Sequence, residues 1–140
     1  MTEYLVDTHV LVWMMEGSSR LSHRAAETIR QAVREDSLLV SAITPWEIGM
    51  LMAKGRLKLS QEVRAWMQMA LNRSGVRVVP LLPEIAVNSS HLPWEMHADP
   101  ADRILVATAL YLGATLVTAD EQLLRYGAQG HLRCQAAGQA

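Results

Sequence analysis

One cysteine, Cys134, stands in 140 residues. A lone thiol forms no intramolecular disulfide and supplies neither a zinc ribbon nor a CxxC redox pair, so a reducing compartment, and with it the cytoplasm, fits the sequence. An excess of one charge is also missing. The 13 basic residues face 14 acidic ones, which argues against a broad cationic surface holding nucleic acid unaided and confines any such contact to a local patch. No apolar run reaches the roughly 18 residues that a membrane span requires. The stretch MTEYLVDTHVLVWMMEG is apolar, but Asp7 and His9 interrupt it. With no basic n-region and no small-residue cleavage site, it does not read as a signal peptide. Neither an internal repeat nor a Pro/Gly/Ser linker divides the chain. Half of the residues are apolar and 19% are charged, enough core material for one compact domain over 1–140.

Strand-like and helix-like pieces alternate along the chain. Tyr4 to Asp7 reads as a strand and runs into a helical pattern (Val10, Leu11, Trp13, Met14) that Gly17 stops. Ser22 caps an amphipathic helix with Ala25, Ala26, Ile29 and Val33 on one face. Leu38 to Ser41 is the next strand, and Thr44-Pro45-Trp46-Glu47 offers an N-cap, a first-turn proline and a third-position carboxylate for a helix ending near Gly55. A helix opened by Ser60 and closed by Gly75 precedes a strand over Val76 to Leu81, and a helix containing Ile85, Ala86 and Val87 ends before Pro93. Asp99 and Pro100 start another, whose apolar part, Ile104 to Leu112, is stopped by Gly113. A strand at Thr115 to Thr118, a helix at Glu121 to Tyr126 and a strand around Leu132 to Gln135 complete the pattern. Such alternation predicts an α/β fold with a mostly parallel sheet covered by helices on both faces, in which ligands bind at the carboxyl ends of the strands.

Acidic residues collect at those ends. Asp7 closes the first strand, Asp120 follows the strand Thr115 to Thr118, and Glu47 and Asp102 each sit in the first turn of a helix. Four carboxylates from four segments suit a hard divalent cation and metal-assisted hydrolysis of a phosphodiester. Two of them about 4 to 5 Å apart repel by roughly 3 to 4 kcal/mol at an effective dielectric near 20, so a cluster implies a cation or a protonated acid. The same residues also have plain structural uses. Glu47 with Thr44 spells a capping box, Asp102 suits the helix dipole, Asp99 is an ordinary N-cap and Asp120 could begin a turn. Asp7 is hardest to explain structurally, since an acid at the buried end of an apolar strand needs a partner or a role.

In order and spacing, LVDTHVLVW at 5–13, SAITPWEIGMLMAKGRLKL at 41–59, HADPADRILVATAL at 97–110 and LVTADEQLL at 116–124 resemble the motifs of the PIN-domain ribonucleases, specifically the VapC-type toxin of a bacterial type II toxin–antitoxin pair. The resemblance spans nearly the whole chain. It implies a three-layer α/β/α domain with a parallel sheet of about five strands and an endoribonuclease dependent on Mg2+ or Mn2+ that leaves a 5′-phosphate. It further implies inhibition by a cognate antitoxin and a homodimer. Matched to the family motifs, Asp7, Glu47, Asp102 and Asp120 are the catalytic, metal-holding acids. Asp99 belongs to an HxDPxDR variant of the third motif and either ligates metal or caps its helix. Thr8 and Thr118 would hold a carboxylate or a water, and Arg103 would pair with an acid or contact phosphate. The early helical segments carrying Trp13, Met14, Met50, Leu51 and Met52 correspond to a region of antitoxin binding and dimerisation.

Lys54, Arg56 and Lys58 are local bases that would contact an RNA backbone, although a solvated surface explains them equally well. Single-stranded loops are the physically accessible RNA targets. His9 and His97 are expected as packed or supporting residues beside the four acids, and the methionines and tryptophans as core. A phosphotransfer domain with Asp7 as nucleophile is a rival, but position 9 is histidine where a second aspartate is expected and no lysine follows Lys58. A degenerate PIN-like binding module is the non-enzymatic rival; it would betray itself by a lost acid, and none is lost.

Overall fold

The protein is described here by a computed structural model covering residues 2–97 and 99–138. Among these residues the elements run β1 (Tyr4–Val6), α1 (Thr8–Glu16), α2 (His23–Arg34), β2 (Leu38–Ser41), α3 (Ile43–Ala53) and α4 (Val63–Leu71). They continue with β3 (Val76–Val79), α5 (Pro83–Ser89), α6 (Pro100–Leu112), β4 (Thr115–Thr118), α7 (Glu121–Ala128) and β5 (Cys134–Ala136). The sheet order is β3-β2-β1-β4-β5, and every pairing is parallel. No helix among the described residues is long and apolar enough to cross a membrane.

Register and side-chain alternation build two cores from one sheet. Leu5 lies beside Leu39 and Leu116, and Val6 beside Val40 and Val117. Since neighbours along a strand point to opposite faces, the leucine row packs with Ile85, Leu105 and Leu123, while the valine row packs with Val10, Leu11, Ile29, Ile48 and Trp66. Both faces being covered, the strands read as nearly continuous apolar runs. The result is the expected α/β/α arrangement with a parallel sheet.

Several element ends differ from the sequence pattern for identifiable reasons. β1 stops at Val6 because Asp7 turns to cap α1, its side chain accepting from the Thr8 N–H. α3 starts at Ile43, directly after β2, with the Ser41 hydroxyl accepting from the Ile43 N–H. Thr44 therefore caps nothing: it is fully buried and shares a 3.1 Å hydrogen bond with the Thr8 hydroxyl. The expected capping box with Glu47 is absent. α4 begins at Val63 under a Glu62 cap, because Ser60 gives its N–H and hydroxyl to the Glu16 carboxylate, both at 2.8 Å. β3 ends at Val79, where Pro80 has no N–H to continue a ladder.

Candidate active site

Three adjacent strands, β2, β1 and β4, release their chains at one rim of the sheet. Asp7 sits there at 7% exposure with both carboxylate oxygens engaged. Oδ1 accepts from the Thr8 N–H and Oδ2 from the Thr118 hydroxyl, each at 2.7 Å. The Thr118 oxygen in turn accepts from the Asp120 N–H at 3.0 Å, so one hydroxyl ties two of the acids together. Asp120 is the cap of α7, its Oδ1 accepting from the N–H groups of Gln122 and Leu123. Thr8 supports the rim from below, through its bond to Thr44.

Glu47 reaches the same rim from the second turn of α3. Its Oε1 is buried and has no hydrogen-bond partner among the described residues. Asp102 occupies the first turn of α6, where Asp99 is the cap and its Oδ1 accepts from the Asp102 N–H at 3.0 Å. His97 Nε2 lies 2.7 Å from Asp102 Oδ2, while the His97 ring stacks on Tyr126. His97 thus sits beside one of the acids, hydrogen-bonded to it and stacked on an aromatic ring. Arg103, expected toward an acid or a phosphate, does otherwise: its guanidinium donates to the backbone carbonyls of Ser89, Met96 and His97. It braces the 89–97 segment that carries His97.

Asp7, Glu47, Asp99, Asp102 and Asp120 all line one pocket of about 370 Å³, together with His9, Trp13, Arg20 and Ala119. Segments far apart in sequence therefore meet as expected. Trp13 and Arg20 are the lining residues that sequence reasoning did not place there; Arg20 comes from a turn with no motif of its own.

The electrostatics of the pocket are unfavourable to its own charges. Burial raises the Asp7 carboxyl above its ordinary range, against the lowering effect of its two hydrogen bonds. Burial also raises Glu47, with the nearby Thr8 hydroxyl opposing and the charges of Asp7 and Asp99 adding to the rise. Asp102 is pushed up to about 7, first by burial and then by the charges of Asp7, Asp99 and Asp120, with the His97 hydrogen bond opposing. An all-oxygen, anionic donor set of this kind, with an unpartnered buried Glu47 oxygen, fits a hard divalent ion such as Mg2+ or Mn2+. No three acidic, histidine or cysteine side chains among the described residues already close around one point; the acids ring the pocket.

A pH dependence follows for the metal-free protein. Asp7, Glu47 and Asp102 each bind a proton more tightly folded than unfolded, so what they contribute to stability is greatest below the unfolded carboxyl values and is lost as pH rises toward about 7. Urea melts in EDTA at about pH 5 and about pH 8 should show the larger unfolding free energy at the acidic value. A stability that rises over this interval would mean that the acids are already compensated within the fold.

The parallel α/β/α sheet thus carries a ring of carboxylates at the carboxyl end of its central strand. The sequence model of the PIN domain family matches residues 4–129. Ribonuclease VapC22 of Mycobacterium tuberculosis (strain ATCC 25618 / H37Rv) is 37% identical over 123 residues, which cover 88% of this chain and 91% of that protein. The chain belongs to the PIN-domain family and, within it, to the VapC type. Among solved structures, VapBC2 from Rickettsia felis, bound to a DNA fragment from its promoter, superposes with a TM-score of 0.70 at 13% identity, over 97% of this chain and 99% of that one. DNA-bound VapBC from Salmonella typhimurium gives 0.67 at 15% identity, over 97% and 98%. These two likenesses establish the fold.

Proposed function

We propose that the chain is a single-domain endoribonuclease toxin that needs Mg2+ or Mn2+ and hydrolyses RNA phosphodiester bonds in the carboxylate pocket. The observation that carries this reading is the meeting of five acids from four segments in one pocket at the strand ends. Asp7, Glu47, Asp102 and Asp120 would hold one or two ions. Asp99, already spent as a helix cap through Oδ1, would at most assist them. Such an ion, when bound, lowers the pKa of a water and neutralises charge gathered on a phosphate.

The protein's own part is orientation. Thr8 and Thr118 fix the Asp7 carboxylate through both oxygens, and Thr118 couples Asp7 to Asp120. His97 fixes one oxygen of Asp102, and Arg103 fixes the segment that carries His97. Preorganised carboxylates of this kind avoid reorganisation when charge develops on the phosphate. RNA is the substrate class because the VapC relative is a ribonuclease. A cognate antitoxin is the inferred partner, since the structural relatives are VapBC assemblies. A cytoplasmic location and a homodimer accompany this reading.

The test is to incubate the purified chain, free of any antitoxin, with a pool of structured RNAs in EDTA, Mg2+ or Mn2+. Cuts are expected with either metal and none in EDTA, and Asp102→Asn should abolish them. Absence of both cleavage and metal binding would replace the nuclease by a PIN-like binding module.

A further inference from the structure

Among the described residues, Arg20 is the one arginine or lysine that lines the carboxylate pocket. It belongs to the turn between α1 and α2, and its guanidinium lies over the Trp13 ring, 5.7 Å from the ring centre. A cation held on an aromatic face gives up part of its rotamer freedom in advance. The backbone beneath is pinned as well. The Arg20 N–H donates to the Ser18 hydroxyl at 3.1 Å, the Ser22 N–H donates to the Ala137 carbonyl at 2.9 Å, and Leu21 forms an antiparallel bridge with Gly138. Gly138 presses so closely on the Arg20 carbonyl that a side chain at 138 would overlap it, and that same side chain would meet the Trp13 ring at 3.3 Å. The chain just past β5 thus packs against both the Arg20 backbone and the ring on which its guanidinium rests.

Arg20 nevertheless closes on none of the acids around it. Among the described residues its guanidinium forms no ion pair within 4.0 Å, although five carboxylates share its pocket. An exposed arginine that lines a pocket of acids without pairing with them has its planar set of N–H donors free for an anion.

We infer that Arg20 is a substrate-binding residue that grips a non-bridging oxygen of an RNA phosphate and positions the phosphodiester against the acids of the pocket. This rests on the nuclease reading above. The acids alone repel a phosphate, and Arg20 is placed to offset that repulsion at the pocket wall. The contact is to the backbone, so it adds affinity without reading base sequence.

Fluorescence anisotropy with a labelled single-stranded RNA oligonucleotide tests this over a KCl series. The host is Asp120→Asn with Mg2+, which removes one acid yet keeps a good helix cap. Adding Arg20→Gln retains a stem to lie on Trp13 and removes the charge. It should weaken binding by about tenfold or more at low salt and reduce the slope of log affinity against log salt by about 0.7, the single-strand value for one phosphate. Arg20→Lys should keep the slope and lose part of the affinity. In the otherwise wild-type protein, Arg20→Gln should lower kcat/KM while the Mn2+ concentration for half-activity and the melting temperature stay in place. Equal affinity and slope with and without Arg20, in a protein that cuts RNA when given metal, would overturn the role of Arg20 alone. A wild-type chain that neither cuts nor binds RNA would overturn the nuclease reading and this inference with it.

Discussion

Asp7→Asn is expected to lower metal-dependent RNA cleavage by about a thousandfold while leaving metal-free stability unchanged or raised. The two halves of this result have separate causes. Asparagine has the shape of aspartate, so its oxygen can still accept from the Thr8 N–H, and its amide can donate to the Thr118 hydroxyl, which has lone pairs to receive it. What disappears is a negative charge that burial already disfavours, and its repulsion of the neighbouring acids disappears as well. Single-turnover cleavage in Mn2+ and urea unfolding in EDTA measure the two quantities. A variant that cuts RNA normally, or that unfolds much more readily without metal, would assign Asp7 to the scaffold.

Gly75→Ala should show the opposite division. Gly75 adopts φ +90°, a conformation that costs an alanine, and an added Cβ would run into the Val33 backbone carbonyl at the end of α2. Because the obstacle is backbone, relief requires α2 or the turn before β3 to move. A loss of about 3 to 5 kcal/mol follows, on the order of a 10 °C drop in melting temperature. Gly75 stands at the amino end of β3, away from the rim that carries the acids. Cleavage per folded molecule should therefore be close to wild type below the transition, and a full-strength melting temperature would show that the 73–76 turn yields more easily than its contacts indicate.

Much of this was legible in the chain. The adjacent apolar pairs Leu5-Val6, Leu39-Val40 and Leu116-Val117 mark strands buried on both faces, and Asp99-Pro100 forecasts the start of α6 to the residue. The acids announced themselves because each follows a strand or opens a helix, the places a parallel sheet gathers at one rim. Other features depend on distant partners and leave no local trace. Thr44-Pro45-Trp46-Glu47 has the grammar of a helix start, yet Thr44 is drawn into the core beside Thr8, and the helix begins earlier, at Ile43, whose N–H donates to the Ser41 hydroxyl. Ser60 looks like a cap until Glu16, 44 residues earlier, claims both its polar groups. Arg103 carries a family motif position, but its guanidinium is consumed by carbonyls of a loop whose path the sequence does not specify. Arg20 lies in a polar turn, and the chain packs against its backbone again only at Gly138, far away in sequence.

The hydrogen bond from Thr118 to Asp7 joins residues 111 positions apart, and this has a consequence in time. While the chain is being made, β1 emerges early but has no β4 beside it, and loop closure over such a separation comes late in folding. Asp102, Thr118 and Asp120 are synthesised long after Asp7 and Glu47. A ribosome-bound chain short of them holds Asp7 and Glu47 without the neighbours that complete the pocket. On the nuclease reading, cutting therefore waits until Asp120 has been made and folded against β1, an interval in which a partner made alongside can already be waiting.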